Sequence, residues 1–555
     1  MFKRSGIYLI IYFSCFLNFM GLAQSGFIFP IDTPIALAGT FAELRSGHYH
    51  SGIDLKTKGE EGHAVFAAAA GWVSRLKVSA VGFGNALYMD HDSGFTTVYG
   101  HLHHFSPELM SYMDSAQKAA LSFEMELFPD SGRFLYKQGD VIAISGNTGG
   151  SQGPHLHFEI RDRITQTPLN PLLLLPYIND TIVPQMALIT LIDKDSSHSI
   201  YSDVDTSSII PLFFQTSSDT AYLSVLVDDL SGENKLGIYS MQLFKQDSLI
   251  YSYQYDRFSF DESRYIYAHA ITVSKNGKSR FAHRLFKLPG DKFSVYNQAG
   301  DGKIILNQND TTFLQLLIND FSENQLSIPI KILQLKEADL AEKKSNEKVF
   351  PFEKVILQSK KDGMEFTVPE GALYQDVIYT EIEKRKSKNY FSAIYSLLDS
   401  LNAPLHLQGK MKIPLKKDER ISDEKYVIVR LNCKINLIEE YIKAESITKY
   451  EISGKFRKGG CYAVSLDTVG PQITLLPTGI DTIDSKQYHQ CLISDKQSGI
   501  KSFRVLLNHQ WELSQFDAKT NTLRWRKDEK NWGPQIYSIE VIDACNNVST
   551  LEIIM

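Results

Sequence analysis

The part of the chain that follows residue 180 consists of short runs of β-branched and aromatic residues, separated by turns rich in Gly, Asn, Asp and Ser. Such runs are typical of strands in antiparallel β-sandwiches, and no helix-rich region interrupts them. The pattern therefore predicts a mainly β protein, with about three β-sandwich-like domains in this part of the chain.

A weak internal repeat divides these domains. The sequence DTIVPQ at 180–185 returns as DTVGPQ at 467–472. After each opening comes a turn that contains Asp, Ser and Gly, and each unit closes with an Asp and an Asn before its last strand. These later features of the two repeats lie at 229–232, 318–324, 495–499 and 542–547.

The repeated units resemble bacterial immunoglobulin-like domains, and we expect them at 179–335 and 467–555. Between them, a charged linker at 336–348 leads into a third, β-rich unit, which we expect at 336–466. Polar turns and buried alternate positions account for all three units, so none of them is predicted to carry chemistry.

The length and charge of the chain exclude several classes of function. With 555 residues, it is long enough for several domains that each bury a core. The formal net charge of −6 and the pI of about 6.2 offer no basic surface for a polyphosphate, so nucleic acid is not an expected partner. Beyond the N-terminus no segment is apolar for the roughly 20 residues that span a bilayer, which excludes a multi-pass membrane protein.

The N-terminus has the pattern of an export signal. Lys3 and Arg4 precede an apolar stretch at 7–22, which is followed by Ala23 and a polar exit. This order is typical of a secretory signal peptide, predicted at 1–23, and an uncleaved anchor helix is the alternative. We expect an exported protein of the periplasm or cell envelope, with no transmembrane span after cleavage.

Export determines which cysteines remain in the mature chain and whether they can form disulfides. Cleavage removes Cys15 and leaves four cysteines, all in the C-terminal quarter of the chain, which can form disulfides with three possible pairings. Their spacing contains no CxxC, which argues against a structural zinc site. The four are Cys433, Cys461, Cys491 and Cys545.

The histidines are concentrated in the N-terminal part of the chain. Of the 15 histidines, nine lie between residues 48 and 157, and three short strings hold the most informative ones. The first string, RSGHYHSGID at 45–54, places His50 four residues before Asp54. Because Gly52 and a β-branched residue follow His50, a strand or tight loop is favoured over a helix.

The other two strings also predict strands. In GPHLHFEI at 153–160, apolar residues alternate with His155, His157 and Glu159, so the polar side chains share one face of a strand. TVYGHL at 97–102 ends a predicted β-hairpin over 86–101 and places His101 at the end of its second strand. Glu159 can orient a neighbouring imidazole or pair with Arg161.

Together, the three strings resemble the motifs of the lysostaphin/LytM-type zinc metallopeptidases, which cleave peptide bridges in peptidoglycan. The resemblance covers about residues 27–178 and predicts a peptidase domain at 24–178. It implies a small antiparallel β-sheet core of the duplicated hybrid motif type, with the metal in a groove across one face. By this resemblance, one Zn²⁺ per chain is bound by His50, Asp54 and His157, and the two non-ligand active-site histidines are His101 and His155.

Such a site has a definite chemistry. Three protein ligands leave the fourth tetrahedral position of zinc for water, which is typical of catalytic rather than structural sites. The metal lowers the pKa of that water toward about 7 and polarises the scissile carbonyl. Since the chain has no HExxH motif, His101 and His155 would share proton acceptance and stabilisation of the oxyanion. The sequence does not assign these two roles.

An additional segment at about 106–138 separates the second string from the third. Ser106 as N-cap followed by Pro107 predicts a helix that extends to about Ala119. The segment starts five residues after His101, and both a lid over the cleft and a peripheral addition are consistent with its position.

Three functions follow from the sequence. The first is an exported zinc metalloendopeptidase that hydrolyses peptide cross-links of peptidoglycan. The second is a non-catalytic envelope protein that binds cell wall or activates an amidase, and the third is a zinc endopeptidase with a protein substrate. In each of them the C-terminal β domains can act as spacers, in docking on the envelope or in binding an envelope protein.

Overall fold

The computed structural model has the predicted fold class. Strands contain 51% of the residues and helices 6%, so the chain is mainly β, as the sequence predicted. The residues described are 26–194, 196–201, 211–232, 234–275, 277–297, 300–335, 348–349, 351–359, 363–378, 382, 384–397, 404–527 and 534–554. The predicted signal peptide at 1–23 and most of the linker at 336–348 lie outside them. Within these ranges no helix has the length and apolar character needed to cross a membrane.

The sheets fall into four stretches of chain, which we call units 1 to 4 and which we propose as domains with the limits 24–178, 179–335, 336–466 and 467–555. Unit 1 contains thirteen strands, with one helix between the eighth and ninth. The strands are β1 Leu37–Gly39, β2 Leu44–Arg45, β3 His48–Tyr49, β4 Ile53–Lys56, β5 Ala64–Phe66, β6 Gly71–Val78, β7 Asn85–Asp90, β8 Phe95–Phe105, β9 Met125–Leu127, β10 Leu135–Tyr136, β11 Val141–Ser145, β12 His155–Asp162 and β13 Pro168–Leu169, and the helix is α1 Pro107–Ala120.

The main sheet of unit 1 positions the histidine strings side by side. Its order is β1-β4-β12-β8-β7-β6-β10, with β13 on β12, β9 on β6, and β11 joining β5 to β8. All these pairs are antiparallel, and alternate side chains of β12 and β8 fill a core that includes Leu156, Phe158 and Tyr99. Because β12 lies between β4 and β8, all three strings meet at its N-terminal end.

The insertion at 106–138 extends the far edge of this sheet. Helix α1 confirms the predicted helix and buries Leu109 and Met113 in the unit 1 core. Strands β9 and β10 both pair with β6, which lies three strands from β12 in the sheet order. Across the described chain, no hydrogen bond or ion pair joins the insertion to the histidines of the three strings. The lid and the peripheral addition both stay predictions.

Units 2 and 3 are each built from two larger sheets. The strands of unit 2 are β14 Gln185–Asp193, β15 Ser197–Tyr201, β16 Leu212–Thr216, β17 Thr220–Ser231, β18 Asn234–Leu236, β19 Ser240–Lys245, β20 Ser248–Gln254, β21 Ala270–Lys275, β22 Lys278–Arg284, β23 Ile304–Ile305, β24 Thr311–Asn319 and β25 Gln325–Gln334, with a short helix α2 Ile266–His269. Those of unit 3 are β26 Lys348–Val349, β27 Val355–Gln358, β28 Glu365–Val368, β29 Val377–Ile378, β30 Lys384–Arg385, β31 Ile394–Leu397, β32 Gly409–Pro414, β33 Tyr426–Leu431, β34 Ile438–Lys443, β35 Ser446–Ile447, β36 Glu451–Phe456 and β37 Gly460–Leu466. Among the described residues of the whole chain, short 3₁₀ helices occur at Pro171–Leu173, Phe260–Tyr265 and Asp423–Lys425.

Unit 4 completes the chain with two four-stranded sheets. Its strands are β38 Gln472–Ile480, β39 Gln487–Ser494, β40 Ile500–Leu507, β41 Gln510–Glu512, β42 Ser514–Asp517, β43 Thr522–Arg526, β44 Ile536–Asp543 and β45 Val548–Ile554. In each of units 2, 3 and 4, one apolar cluster draws residues from both sheets, which makes each unit a β-sandwich. The immunoglobulin-like assignment of units 2 and 4 stays a prediction.

Two of the four cysteines form a disulfide. Cys433 and Cys461 form a disulfide across 28 residues of unit 3, while Cys491 and Cys545 are buried free thiols in unit 4. Burial raises the pKa of the Cys491 thiol to about 12, so this thiol stays protonated and unreactive at neutral pH.

Units 1 and 2 share a hydrophobic core. Phe41, Ala42 and Tyr49 come from the first part of unit 1, yet they belong to the apolar cluster of unit 2. The ring of Tyr49 stacks on Phe293, with ring centroids 4.5 Å apart, and also packs against Phe258. Since Tyr49 directly precedes His50, the packing of unit 2 holds the backbone that carries the first histidine string.

Unit 4 folds back onto unit 1. His103 Nε2 lies 3.4 Å from Asp481 Oδ2, and Phe123 of the insertion packs against Phe503 with ring centroids 6.4 Å apart. The ammonium group of Lys519 donates a hydrogen bond to the carbonyl oxygen of Asn147. The last domain therefore contacts the loop that precedes β12.

Substitution of Tyr49 tests the shared core. The Tyr49 hydroxyl is buried and has no hydrogen-bond partner in the described structure, so Tyr49→Phe should leave stability unchanged or slightly raised. Tyr49→Ala should cost about 3–5 kcal/mol through lost apolar contacts and the cavity left behind. Differential scanning calorimetry of the full chain measures both, and a Tyr49→Ala melting profile identical to that of wild type would show that the two units do not share a core.

Candidate metal centre

Strand register brings the three strings to one place. His157 on β12 lies directly across from Asp54 on β4 and from Gly100 on β8. His50 lies in the short connection between β3 and β4, on the same side as Asp54. Gly100 leaves room for His157, because a Cβ atom at position 100 would lie 3.3 Å from the Cβ and 3.4 Å from the ring Cδ2 of His157.

His50, Asp54 and His157 form a compact triangle of potential ligand atoms. His157 Nδ1 lies 3.0 Å from His50 Nε2 and 3.0 Å from Asp54 Oδ1, and His50 Nε2 lies 3.1 Å from the same oxygen. All three residues are buried. Two imidazoles and one carboxylate are a normal zinc donor set, and tetrahedral bonds of 2.0–2.2 Å would place such atoms about 3.3 Å apart. The donor set and its spacing therefore fit a zinc ion.

Hydrogen bonds on the far side of each ring orient the two imidazoles. The Nδ1–H of His50 donates to the carbonyl oxygen of Thr40 at 2.7 Å, and the Nε2–H of His157 donates to Glu159 Oε1 at 2.9 Å. Each bond holds a proton on the outer nitrogen, so the inner nitrogen of each ring is the one that can offer its lone pair to the centre of the triangle once that ring is neutral. The ring nitrogens that face each other are therefore the ones suited to bind a cation.

Glu159 makes both of the contacts that the sequence left open. Besides His157, its carboxylate accepts a hydrogen bond from the Ser51 hydroxyl and is paired with the Arg161 guanidinium at 2.5 Å. Glu159 is fully buried, and a buried carboxylate needs a partner for its negative charge. The Arg161 guanidinium is that partner. Burial alone would raise the pKa of Glu159, but Arg161 and then His157 outweigh it and lower that pKa to about 2.

The two imidazoles of the triangle differ in protonation. Burial lowers the pKa of His50 to about 4, so this ring is neutral at ordinary pH. Burial would also lower the pKa of His157, but its hydrogen bonds with Asp54 and Glu159 outweigh that effect and raise the pKa to about 9. The pKa of Asp54 lies well below its usual value: burial opposes the shift, and the neighbouring His50, His155 and His157 produce it.

His101 and His155 lie beside the triangle. Their ring centroids are 4.8 Å apart, and His155 Nε2 lies 3.3 Å from Asp54 Oδ1. The Nδ1 atoms donate to backbone carbonyls, His101 to Thr148 and His155 to Gly153, both at 2.8 Å, so Nε2 is the nitrogen of each ring that is left for other contacts. Burial, followed by the nearby His157 and His155, lowers the pKa of His101 to about 3 and keeps it neutral.

The backbone at His101 differs from the prediction. Strand β8 does not end at His101 but continues to Phe105, and His101 itself has a left-handed φ of 58°. A non-glycine residue in this conformation is strained and is retained where the surroundings fix it. Here the His101 N–H donates to the carbonyl of Phe83, whose ring stacks on His157 at 4.7 Å.

The environment of β12 also differs from the prediction. Alternation suggested a strand with one buried face, yet every residue from Leu156 to Arg161 is buried. The polar side chains of this face can be buried because Glu159 pairs with both His157 and Arg161 inside the protein.

Several residues of the site were not singled out from the sequence. Arg45 pairs with Asp54 Oδ2 at 2.6 Å, and Phe83 covers His157. Thr40 and Thr148 act through backbone carbonyls, which leave no signature in a sequence. Arg45 was detectable, since it begins the string that contains His50 and Asp54.

The remaining histidines of this region lie outside the triangle. His48 is exposed, while His63 and His91 bond to backbone carbonyls of Thr57 and Ala70. His103 faces Glu61 and Asp481, and His104 bonds the carbonyl oxygen of Phe105. These contacts give the five residues structural or surface roles.

Comparison with known proteins identifies two stretches of the chain. The family "Peptidase family M23" matches residues 48–121, and a "Zu5-like domain" matches residues 349–467, close to the limits of unit 3.

Curated relatives agree with the first match. The chain is 33% identical over 128 residues to a "DD-carboxypeptidase/endopeptidase Mpg" of Neisseria meningitidis, covering 23% of each chain. It is also 33% identical over 123 residues to an "Uncharacterized metalloprotease" of Haemophilus influenzae, covering 22% of this chain and 20% of that protein. The match thus spans less than a quarter of the length of these relatives.

Among solved structures, similarity includes the catalytic domain of lysostaphin from Staphylococcus simulans, at 22% identity and a TM-score of 0.18, over 24% of this chain and 86% of that one. It also includes a zinc-containing peptidase from Vibrio cholerae, at 25% identity and a TM-score of 0.21, over 28% of this chain and 41% of that one. The family match and the curated relatives together show that unit 1 contains a domain of peptidase family M23.

Proposed function

We propose that the chain is an exported zinc metalloendopeptidase that hydrolyses peptide cross-links of peptidoglycan. The observation that carries this proposal is the buried triangle of His50, Asp54 and His157, with its ligand atoms within 4.8 Å of one another. A zinc ion in this triangle would polarise the scissile carbonyl and lower the pKa of water at the site. The limits of unit 1 and the roles of its residues belong to the same proposal.

The chain's own residues supply the proton transfers. His101 is neutral, holds its proton on Nδ1 through the Thr148 carbonyl, and presents Nε2 as an acceptor. His155 is held in the same way by Gly153 and faces the same space, at 15% side-chain exposure. A ring that accepts the proton of the attacking water on Nε2 becomes an imidazolium, and this new N–H can then donate to the developing oxyanion. The hydrogen bond to the Thr148 carbonyl holds the His101 ring in place before substrate binds.

Substrate class and location rest on separate support. The Neisseria relatives are named as carboxypeptidase and endopeptidase, which agrees with cleavage of cell-wall peptides. The predicted signal peptide agrees with export, as does the disulfide between Cys433 and Cys461, since such bonds persist mainly in oxidising compartments. Units 2 to 4 would then hold the peptidase in the envelope, with an envelope protein as a possible partner.

Digestion of isolated sacculi tests the activity directly. Purified mature chain should release soluble muropeptides, and a chelator should abolish the release, because the site depends on a metal. Mass analysis of the products identifies the bond that is cut. Binding without release would favour the non-catalytic function, and intact sacculi with a degraded protein substrate would favour the protein endopeptidase.

Alanine variants separate ligands from the other histidines. His157→Ala should lose both zinc and turnover, whereas His155→Ala should keep zinc and lose about a hundredfold or more in rate. His48→Ala is a matched control, because His48 is exposed and lies two residues before His50. Zinc is measured by elemental analysis of dialysed protein, and stoichiometric zinc in His50→Ala or His157→Ala would refute the ligand assignment.

Zinc binding should release about one proton per chain at pH 6. With a pKa of about 9, His157 is protonated in the metal-free chain and must lose that proton to bind. His50, with a pKa of about 4, is already neutral at this pH. Calorimetric titration of zinc in two weakly coordinating buffers of different ionisation enthalpy gives the number of protons, and a value near zero would contradict the role of His157.

A further inference from the structure

The junction between units 1 and 2 carries three carboxylates that the peptidase site does not use. Asp180 lies in the connection before β14, Asp229 near the end of β17, and Asp320 directly after β24. One oxygen of each lies within 4.8 Å of the others. Three like charges at this distance repel one another unless a cation lies between them.

No basic side chain compensates these charges. In the part of the chain that the structure describes, neither lysine nor arginine makes an ion pair with any of the three. Asp180 and Asp229 also line a cleft between the two units, and they are the only charged residues among its described lining.

Asp229 carries the strongest evidence for a ligand. The residue is 3% exposed, and its Oδ1 atom has no hydrogen-bond partner among the described residues. Asp320, in contrast, accepts hydrogen bonds from the backbone and side chain of Asn324, and Asp180 accepts one from Ile182. A buried carboxylate oxygen without a donor is costly, and a bound cation would supply what it lacks.

We propose that Asp180, Asp229 and Asp320 bind a calcium ion at this junction. An all-oxygen set of carboxylates suits a hard cation, and calcium accepts the flexible, oxygen-rich coordination that loops from three parts of a chain can offer. The ion would join the connection that leaves unit 1 to two loops of unit 2.

This site lies close to the support of the peptidase centre. The hairpin of β17 and β18 carries Asp229 at one end and leads to Gly237, whose N–H and carbonyl both bond the Thr40 hydroxyl. Thr40 is the residue whose carbonyl orients His50. Calcium would therefore stabilise the contact that positions a proposed zinc ligand, although its binding does not depend on peptidase activity.

The repeat in unit 4 provides an internal comparison. Asp467, Asp495 and Asp543 occupy the corresponding positions and form a similar cluster. Each of them accepts a backbone hydrogen bond, and Lys425 Nζ lies 2.8 Å from the neighbouring Asn547 Oδ1. Since no buried carboxylate oxygen of this cluster lacks a hydrogen-bond partner in the described structure, the proposal is confined to unit 2.

Calcium titration of the zinc-loaded full chain tests the proposal. Calorimetry should detect a site with a dissociation constant between about 10⁻⁵ and 10⁻³ M, and Asp229→Asn should weaken it by about a hundredfold or more. Asp320→Asn should do the same. Asp247→Asn removes the same charge from an exposed turn of unit 2 and should leave binding unchanged.

Hydrogen exchange shows which segments of the chain calcium binding stabilises. Calcium should slow amide exchange at 175–183 and 228–238 in wild type and in Asp247→Asn, but not in Asp229→Asn. Equal calcium binding by wild type and Asp229→Asn would overturn the proposal, as would the absence of binding by wild type. Magnesium binding with the same dependence on Asp229, and no calcium binding, would overturn the choice of calcium.

Discussion

The convergence of three imidazoles on one carboxylate oxygen is the interaction on which the rest of the site depends. His50, His155 and His157 each place a ring nitrogen within 3.3 Å of Asp54 Oδ1, in a largely buried region. Polar atoms grouped in this way are stabilised by partners around them. The Thr40 and Gly153 carbonyls, Glu159 and Arg45 are such partners, and they orient the rings and Asp54 before any metal or substrate binds.

Much of this arrangement follows from local sequence patterns. The alternation in 155–160 was sufficient to place His155, His157 and Glu159 on one face, because side chains of a strand alternate strictly. The hairpin before His101 and the helix after Ser106 were also predicted from turn and capping residues. The family resemblance then named the histidines and the aspartate that the fold brings together, and their roles remain proposals.

Other features could not be predicted because they depend on distant parts of the chain. Nothing near Tyr49 indicates that its ring fills the core of a unit more than 130 residues away, and the carbonyl of Thr40 is chemically the same as any other. The strained backbone at His101 results from the Phe83 carbonyl and the loop at Thr148, which meet only in the folded protein. Periodicity describes one element at a time, whereas these contacts join several.

The units are therefore more interdependent than a linear domain map suggests. Unit 2 supports the His50 segment through Tyr49 and Thr40, and unit 4 contacts the loop that precedes β12 through Lys519. The β-sandwiches thus do more than extend the chain, since unit 2 contacts Thr40, whose carbonyl orients His50, and unit 4 contacts Asn147, the neighbour of Thr148.

The proposed function depends on the binding of a single zinc ion by two imidazoles and one carboxylate of this chain. X-ray absorption at the zinc K-edge of the purified mature protein measures this coordination. We expect one zinc per chain in a shell of nitrogen and oxygen only, at about 2.0–2.2 Å, with the outer-shell scattering of two imidazoles. A sulfur shell at about 2.3 Å, or a spectrum without imidazole scattering, would contradict it.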